Sequence, residues 1–231
     1  MGLDLHYSLD TFDEAITEVL RLIAPGNVLD IGAGKGKYGR IVRDLGLSPA
    51  PRLTALEPGK DCRALLEPIY DTVETAPASV LYDRPWPTFD TVILGDVIEH
   101  MKFADGLDLL HYLYQRAAYI LIVTPEYMPQ RVEGDFHASH NSIWRPEAFA
   151  TFDLFAHARL AMMHCYILRG YLDFEKPELA DVCAAINAKS IVGKVPHGDE
   201  ELAGPIQFTI HNKATVDRND AAGTVWFYRP F

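Results

Sequence analysis

Four short apolar runs, separated by stretches with helical character, constrain the fold of this chain more than any other feature. They are NVLDI (27–31), RLTALE (52–57), DTVILGD (90–96) and AYILIVT (118–124). Each run is too short for a buried helix and is rich in Val, Ile and Leu, which is typical of strands covered on both faces. Strands that alternate with helices form right-handed βαβ units. The pattern therefore predicts an α/β fold with a doubly wound, mostly parallel sheet and helices on both faces.

The other elements follow from the same periodicity. It predicts a first helix that ends at APGN (24–27) and further helices over 36–45, 60–68, 103–116 and 177–190. The predicted late strands are ARLAMMHCYIL (158–168), IQFTIHN (206–212) and TVWFYR (224–229), and the Pro- and Gly-bearing KVPHGDEELAGP (194–205) interrupts the β pattern. A length of 231 residues, 48% of them hydrophobic, suits one large domain over 1–231. We interpret 172–205 as an insertion between late strands.

The stretch VLDIGAGKGKYG (28–39) places four glycines between the first predicted strand and the next helix. A glycine-rich turn there lets the backbone approach a ligand at the carboxyl edge of the sheet. Dinucleotide sites use GxGxxG, which this chain contains, but the first glycine should follow the strand directly and this register begins only at Gly34. A start at Gly32 puts Lys37 where the third glycine belongs. We therefore do not predict a dinucleotide, and we interpret Lys35 and Lys37 as solvated residues at the helix start.

Several motifs together resemble the class I methyltransferases that use S-adenosylmethionine. LDIGAGKG (29–36) is similar to their first motif, Glu57 to the acidic residue that holds the ribose hydroxyls, and FDTVILGDVIEHM (89–101) to their fourth motif. The resemblance covers roughly the first 150 residues. It implies a seven-stranded sheet and S-adenosyl-L-methionine as the cofactor. The cofactor-binding residues that it implies are Asp30, Gly32, Ala33, Gly34, Glu57, Pro58, Ala78, Ser79, Asp96, Val97 and His100.

Carboxylates at Asp30 and Glu57 suit this cofactor, because it carries an ammonium, a sulfonium and two ribose hydroxyls but no phosphate. In the family, the position of Asp30 orders the glycine loop and orients the methionine end. The resemblance also puts adenine near Ala78 and Ser79. The structural alternatives are a turn-capping aspartate at Asp30 and an exposed strand end at Glu57.

The predicted acceptor is a small molecule that is methylated on a hydroxyl or carboxylate oxygen. The Asn/Asp-Pro-Pro-Tyr motif of enzymes that methylate amino groups is absent, since the fourth strand ends in GDVIEH (95–100). A formal net charge of −11 disfavours a nucleic-acid substrate. The loop after the fifth strand carries His137 and His140, which are our candidates for a catalytic base. Alternatively the histidines only brace this loop, with Trp144 packed beneath it, and Glu99 is interpreted as local structure.

The sequence indicates neither a disulfide nor a metal site. Its three cysteines are scattered, and no carboxylate lies at ligand spacing from His137 and His140. No apolar run reaches the roughly 18 residues of a membrane helix, and the N-terminal residues do not resemble a signal peptide. We therefore expect a cytoplasmic protein that binds no membrane, with a homo-oligomer left open. Two other functions stay open: a regulatory or accessory protein that binds S-adenosylmethionine without methyl transfer, and an aminopropyl transferase.

Overall fold

A computed structural model describes residues 8–126, 128, 130–133, 139–172, 174–198, 200–212, 216–219 and 224–227. For residues 197, 216–219 and 224–227 it describes the backbone alone. The helices are α1 Asp13–Ile23, α2 Lys37–Asp44, α3 Arg63–Leu66, α4 Val80–Asp83, α5 Phe103–Tyr114 and α6 Leu179–Asn187. Short 3₁₀ turns cover Lys60–Cys62, Ile98–His100 and Pro146–Phe149.

Most strands of the described chain form one large sheet. The strands are β1 Asn27–Ile31, β2 Arg52–Leu56, β3 Thr72–Glu74, β4 Phe89–Gly95, β5 Ala117–Pro125, β6 Leu154–Leu160, β7 Met163–Arg169, β8 Val192–His197, β9 Glu200–Pro205, β10 Thr209–Asn212, β11 Val216–Asn219 and β12 Thr224–Phe227. The order across the main sheet is β10-β6-β7-β5-β4-β1-β2-β3, and β8–β9 and β11–β12 are separate antiparallel pairs.

The predicted doubly wound sheet is confirmed. Strands β3, β2, β1, β4 and β5 pair in parallel, whereas β7 is antiparallel to both β5 and β6. The sheet has eight strands rather than the predicted seven, because β10 pairs antiparallel with β6 and extends that edge.

Helices cover both faces of the sheet, and strand residues alternate between the two cores. Val28 belongs to the core that also contains the buried residues of α1, α2 and α6, whereas Leu29 and Ile31 belong to the core beneath α5. Since side chains alternate along a strand, Asp30 faces the same side as Val28. Its carboxylate therefore points into the layer that contains α2.

Two late segments differ from their predicted structure. ARLAMMHCYIL is not one strand but the β6–β7 hairpin, in which Ala161 adopts the left-handed region at a φ of 51°. KVPHGDEELAGP is not an interruption but most of the β8–β9 hairpin. Pro196 is tolerated there because a two-stranded ribbon consists only of edge strands, and Gly198 supplies a φ of 63° at the turn.

Residues 172–205, the predicted insertion, lie between β7 and β10 and include α6 and the β8–β9 hairpin. Helix α6 packs against α1, with Val182, Cys183 and Ile186 buried in their common core. Among the helices of the described residues, none combines the length and apolar character that a bilayer crossing requires.

Candidate active site

The carboxyl ends of the central strands meet at one edge of the sheet. Ile31 of β1 is in register with Leu56 of β2 and with Leu94 of β4, and Leu94 is in register with Ile122 of β5. The loops that leave these four strands therefore begin side by side. Ligands of open α/β sheets bind at this edge.

The glycine loop after β1 follows a path that needs glycine. Gly32, Gly34 and Gly36 have φ angles of 67°, 51° and 83°, in the left-handed region that side chains disfavour. The Gly32 N–H donates a 2.7 Å hydrogen bond to the carbonyl of Leu56, and a Cβ at Gly32 would clash with Val97. The loop thus packs directly against β2 and against the loop after β4.

Glu57 ties the glycine loop to the loop after β2. One carboxylate oxygen accepts the N–H of Gly34 at 2.9 Å, and the other accepts the N–H of Gly59 at 2.7 Å. Glu57 is buried, whereas Pro58 beside it is exposed. Hydrogen bonds to a carboxylate are among the stronger ones in proteins, so Glu57 fixes the shape of both loops.

Asp30 is buried at the end of β1 and is held by Tyr70. The Tyr70 hydroxyl donates a 2.5 Å hydrogen bond to Oδ2 of Asp30 and accepts the N–H of Gly39 at 2.9 Å. Oδ1 of Asp30 is buried without a hydrogen-bond partner among the described residues. Burial raises the pKa of Asp30 to about 7; the Tyr70 hydrogen bond opposes the rise and the Glu57 carboxylate adds to it.

Asp96, directly after β4, is a partly buried carboxylate at this edge, and its Oδ2 atom is buried. Its backbone has a φ of 54°, which aspartate tolerates better than most residues. Its Oδ2 atom makes no hydrogen bond within the described part of the chain. Burial raises the pKa of Asp96 to about 6, while the positive charge of Lys37 and a hydrogen bond from Ser8 oppose the rise.

The interpretation of Lys37 as a solvated residue is wrong, because its ammonium group is paired. Its ammonium donates to the carbonyl of Leu9 and contacts Oδ1 of Asp13, both at 2.8 Å. Side chains at the start of a helix point back toward its N-terminus, where carboxylates attract the ammonium. Lys37 therefore joins α2 to the first residue of α1 and to the segment ahead of it.

The loops after β4 and β5 bring together Glu99, His100 and His140. One ligand-type atom from each of these residues lies within 4.8 Å of the others, and the two imidazole rings meet edge to face at 4.8 Å. Glu99 is 1% exposed, and its Oε2 accepts a 3.0 Å hydrogen bond from Thr124. Burial, reinforced by the Asp96 carboxylate, raises the pKa of Glu99 well above its usual range. Burial lowers the pKa of His140.

Backbone hydrogen bonds hold this loop against the turn. The N–H groups of Asn141 and Ser142 donate to the carbonyl of Glu99 at 2.6 and 3.1 Å. The side-chain amide of Asn141 donates to the carbonyl of His100 at 2.8 Å. Trp144 is fully buried, and its indole N–H donates a 3.1 Å hydrogen bond to the carbonyl of Ile98. Trp144 thus packs beneath the loop and braces it.

Three further predicted site residues are His137, Ala78 and Ser79. His137 falls outside the described residues. Ala78 and Ser79 follow β3 at the same edge of the sheet, and their carbonyls accept hydrogen bonds from the N–H groups of Leu81 and Tyr82 in α4.

Sequence reasoning missed Tyr70 and a polar network around Glu126. Glu126, directly after β5, contacts Arg145 at 2.7 Å, Arg159 at 2.9 Å and His164 at 3.2 Å. A carboxylate directly after a buried strand is the one local signal that could have indicated this network. Tyr70 has no such signal, because its aspartate partner lies 40 residues away in the sequence.

Comparison with known proteins identifies the fold. No protein-family profile matches this chain, and no curated protein matches its sequence. Among solved structures, a SAM-dependent methyltransferase from Archaeoglobus fulgidus matches at 17% identity over 69% of this chain and 96% of that one, with a TM-score of 0.51. A putative O-methyltransferase from Klebsiella pneumoniae matches at 16% identity over 73% and 84%, with a TM-score of 0.51.

The plantazolicin methyltransferase BpumL, solved in complex with SAH, is a third match, at 11% identity over 70% of this chain and 85% of that one, with a TM-score of 0.50. The chain spans only 54% and 56% of the length of two other matched methyltransferases. The chain has the fold of the class I S-adenosylmethionine-dependent methyltransferases.

Proposed function

We propose that this protein transfers a methyl group from S-adenosylmethionine to an oxygen atom of a small-molecule acceptor. The observation that carries the proposal is the pair of buried carboxylates at the glycine loop. Glu57 holds the N–H of Gly34, and Asp30, just ahead of the loop, keeps one oxygen without a partner in the described structure. Such a pair of hydrogen-bond acceptors fits a ligand with a cationic amino group and ribose hydroxyls, and it repels a pyrophosphate.

In this proposal Glu57 receives the ribose hydroxyls, and Asp30 with the glycine loop receives the amino-acid end. The other proposed cofactor contacts are Gly32, Ala33, Gly34, Pro58, Ala78, Ser79, Asp96, Val97 and His100. The cofactor supplies an electrophilic methyl group on a sulfonium that leaves as a neutral thioether. The chain's own contribution is to hold the acceptor in line with that methyl group, which can supply much of the rate enhancement.

The acceptor atom is proposed to lie nearest His140, with His137 as the second candidate. Nδ1 of His140 lies 2.6 Å from the carbonyl of Met128. Because a carbonyl only accepts hydrogen bonds, Nδ1 carries the proton and Nε2 of the neutral ring carries a lone pair. That lone pair can accept a proton from a hydroxyl or bind a cation. A methyl acceptor that is an ionised carboxylate would need neither a proton acceptor nor a cation.

Four observations together support an oxygen acceptor and a cytoplasmic location. The motif of amino-methylating enzymes is absent from the sequence, and one structural neighbour is described as a putative O-methyltransferase. The net charge of −11 disfavours nucleic acid. Cys62, Cys165 and Cys183 are free thiols, as expected in a reducing compartment.

Calorimetric titration with S-adenosylhomocysteine and with NAD tests the cofactor, and release of S-adenosylhomocysteine in the presence of hydroxyl and carboxylate compounds tests the transfer. We expect binding of S-adenosylhomocysteine but not of NAD, and turnover with an oxygen acceptor. Binding without turnover on any acceptor would favour the regulatory alternative. Release of methylthioadenosine from decarboxylated S-adenosylmethionine in the presence of an amine would favour aminopropyl transfer, and tight binding of NAD alone would refute the proposal.

A further inference from the structure

We propose that Glu99, His100 and His140 bind one divalent transition-metal cation, which holds and activates the acceptor oxygen. This inference rests on the proposed O-methylation and deepens it. Glu99 and His100 lie on the turn after β4, and His140 lies on the loop after the neighbouring β5. Their ligand atoms lie within 4.8 Å of one another. Atoms that are each about 2.1 Å from one tetrahedral ion lie about 3.4 Å apart, so the longest separation in the cluster would have to shorten by up to about 1.4 Å.

Both histidines present the nitrogen that a metal requires. Nδ1 of His100 lies 3.1 Å from the carbonyl of Ser139, and Nδ1 of His140 lies 2.6 Å from that of Met128. Each Nδ1 faces a carbonyl oxygen and therefore carries a proton, so Nε2 is the nitrogen of each ring that would coordinate a cation. Metal-binding histidines commonly donate their other N–H to a backbone carbonyl in this way, because that hydrogen bond fixes the tautomer and the ring orientation.

Glu99 provides an independent indication of a missing cation. The side chain is almost completely buried, and Oε2 is oriented by Thr124, yet Oε1 has no hydrogen-bond partner among the residues that the structure describes. An unpartnered buried carboxyl oxygen is costly. A cation beside His100 and His140 would give Oε1 a partner.

The ligand set favours a particular class of ion. Two imidazole nitrogens and one carboxylate oxygen suit Mn²⁺, Fe²⁺, Co²⁺ or Zn²⁺, whereas Mg²⁺ and Ca²⁺ prefer oxygen ligands. Three protein ligands leave at least one coordination position open, as in catalytic rather than structural sites. The sequence predicted no metal site because no carboxylate lies at ligand spacing along the chain from His137 and His140. Glu99 reaches the site from a different loop.

An acceptor hydroxyl that occupies the open position would have a lowered pKa and would lose its proton to water. Its oxygen then bonds to the methyl carbon as the carbon–sulfur bond breaks, and the sulfur keeps the electron pair of that bond. His140 in this arrangement positions the acceptor through the cation rather than by accepting its proton.

The test is a titration of the chelator-stripped, desalted protein with Co²⁺, followed by visible absorption, with Mn²⁺ and Zn²⁺ titrated by calorimetry. We expect one equivalent to bind, and Glu99→Gln to weaken binding at least about tenfold. Because Glu99 is buried, His140→Ala on the half-buried loop is a second variant, with the same expectation. The matched control is His111→Ala: His111 is exposed on α5, and this variant should bind like the wild type.

The same samples are titrated with S-adenosylhomocysteine, so that the two proposals fail separately. Binding of S-adenosylhomocysteine with no bound metal, or equal metal affinity in the wild type, Glu99→Gln and His140→Ala, would overturn the cation site and leave the methyltransferase proposal standing. Stoichiometric metal binding that both variants weaken would support the site. The same metal binding without any affinity for S-adenosylhomocysteine would overturn the activating role, together with the proposed function.

Discussion

The Tyr70 hydroxyl lies between Asp30 and the first turn of α2: it donates to the carboxylate and accepts the N–H of Gly39. The first N–H groups of a helix have no partner within the helix, so Tyr70 satisfies one of them. The same hydroxyl orients Asp30, which is the only acidic residue among the five described residues of β1. A single side chain thus fixes both the strand end and the helix start that enclose the glycine loop.

Replacing this phenol should destabilise the fold. Tyr70→Phe leaves the Gly39 N–H and one Asp30 oxygen buried without their partner, and we expect a loss of about 2–3 kcal/mol in the free energy of unfolding. Urea denaturation measures the loss. Tyr82→Phe, at a half-exposed tyrosine, is the control and should change stability by less than about 0.5 kcal/mol. Equal stability of Tyr70→Phe and the wild type would contradict the role of this hydrogen bond.

Asp30 should make stability depend on pH. Its pKa is about 7 in the fold against an ordinary value of 3.8, so between these values the folded state keeps a proton that the unfolded chain has lost. The stabilisation is therefore complete below about pH 4 and is lost as pH rises through 7, at most about 4 kcal/mol.

Asp30→Asn removes this contribution, because asparagine does not titrate. Unfolding free energies at pH 5 and pH 8 should differ less in this variant than in the wild type, with the exposed Asp44→Asn as the control. Asp96 and Glu99 contribute in the same direction in both proteins, so the comparison isolates Asp30. The prediction is wrong if the two pH profiles are parallel.

Gly32 should tolerate no side chain. Gly32→Ala adds a Cβ that clashes with Val97, in addition to the strain of a φ of 67°. Gly46→Ala separates these effects, since Gly46 has a φ of 63° but no atom close to its Cβ position. We expect about 1–2 kcal/mol of destabilisation from Gly46→Ala and clearly more from Gly32→Ala. Adding Val97→Ala should recover the part that is due to the clash, and failure to recover any of it would rule out that contact as the cause.

Glu57 should determine cofactor affinity. In Glu57→Gln one of the two backbone N–H groups meets an amide NH₂ instead of an oxygen, so the glycine loop loses a charged hydrogen bond. We expect the affinity for S-adenosylhomocysteine to fall roughly ten- to a hundredfold in calorimetry. Glu67→Gln, at an exposed glutamate on the surface of the same region, should bind like the wild type. Unchanged affinity in Glu57→Gln would exclude this carboxylate from the binding site.

The strands of the parallel core could be predicted because continuous apolar runs report burial on both faces. The β6–β7 hairpin could not, since its turn uses Ala161 in the left-handed region where sequence reasoning expects glycine or asparagine. The glycine loop was identifiable from its position after the first strand, and Glu57 from the resemblance to the class I methyltransferases. The partners of Glu99 were not, because Thr124 and His140 are distant in sequence and reach it only through the pairing of β4 with β5.

If the cofactor and the acceptor bind as proposed, the packing of Val97 beside Gly32 would couple the two binding events. Val97 fills the space beside Gly32 and immediately precedes the turn that carries Glu99 and His100. The loop proposed for the cofactor and the turn proposed for the acceptor therefore share a boundary. By thermodynamic linkage the effect is reciprocal: whatever factor the cofactor contributes to acceptor affinity, the acceptor returns to cofactor affinity.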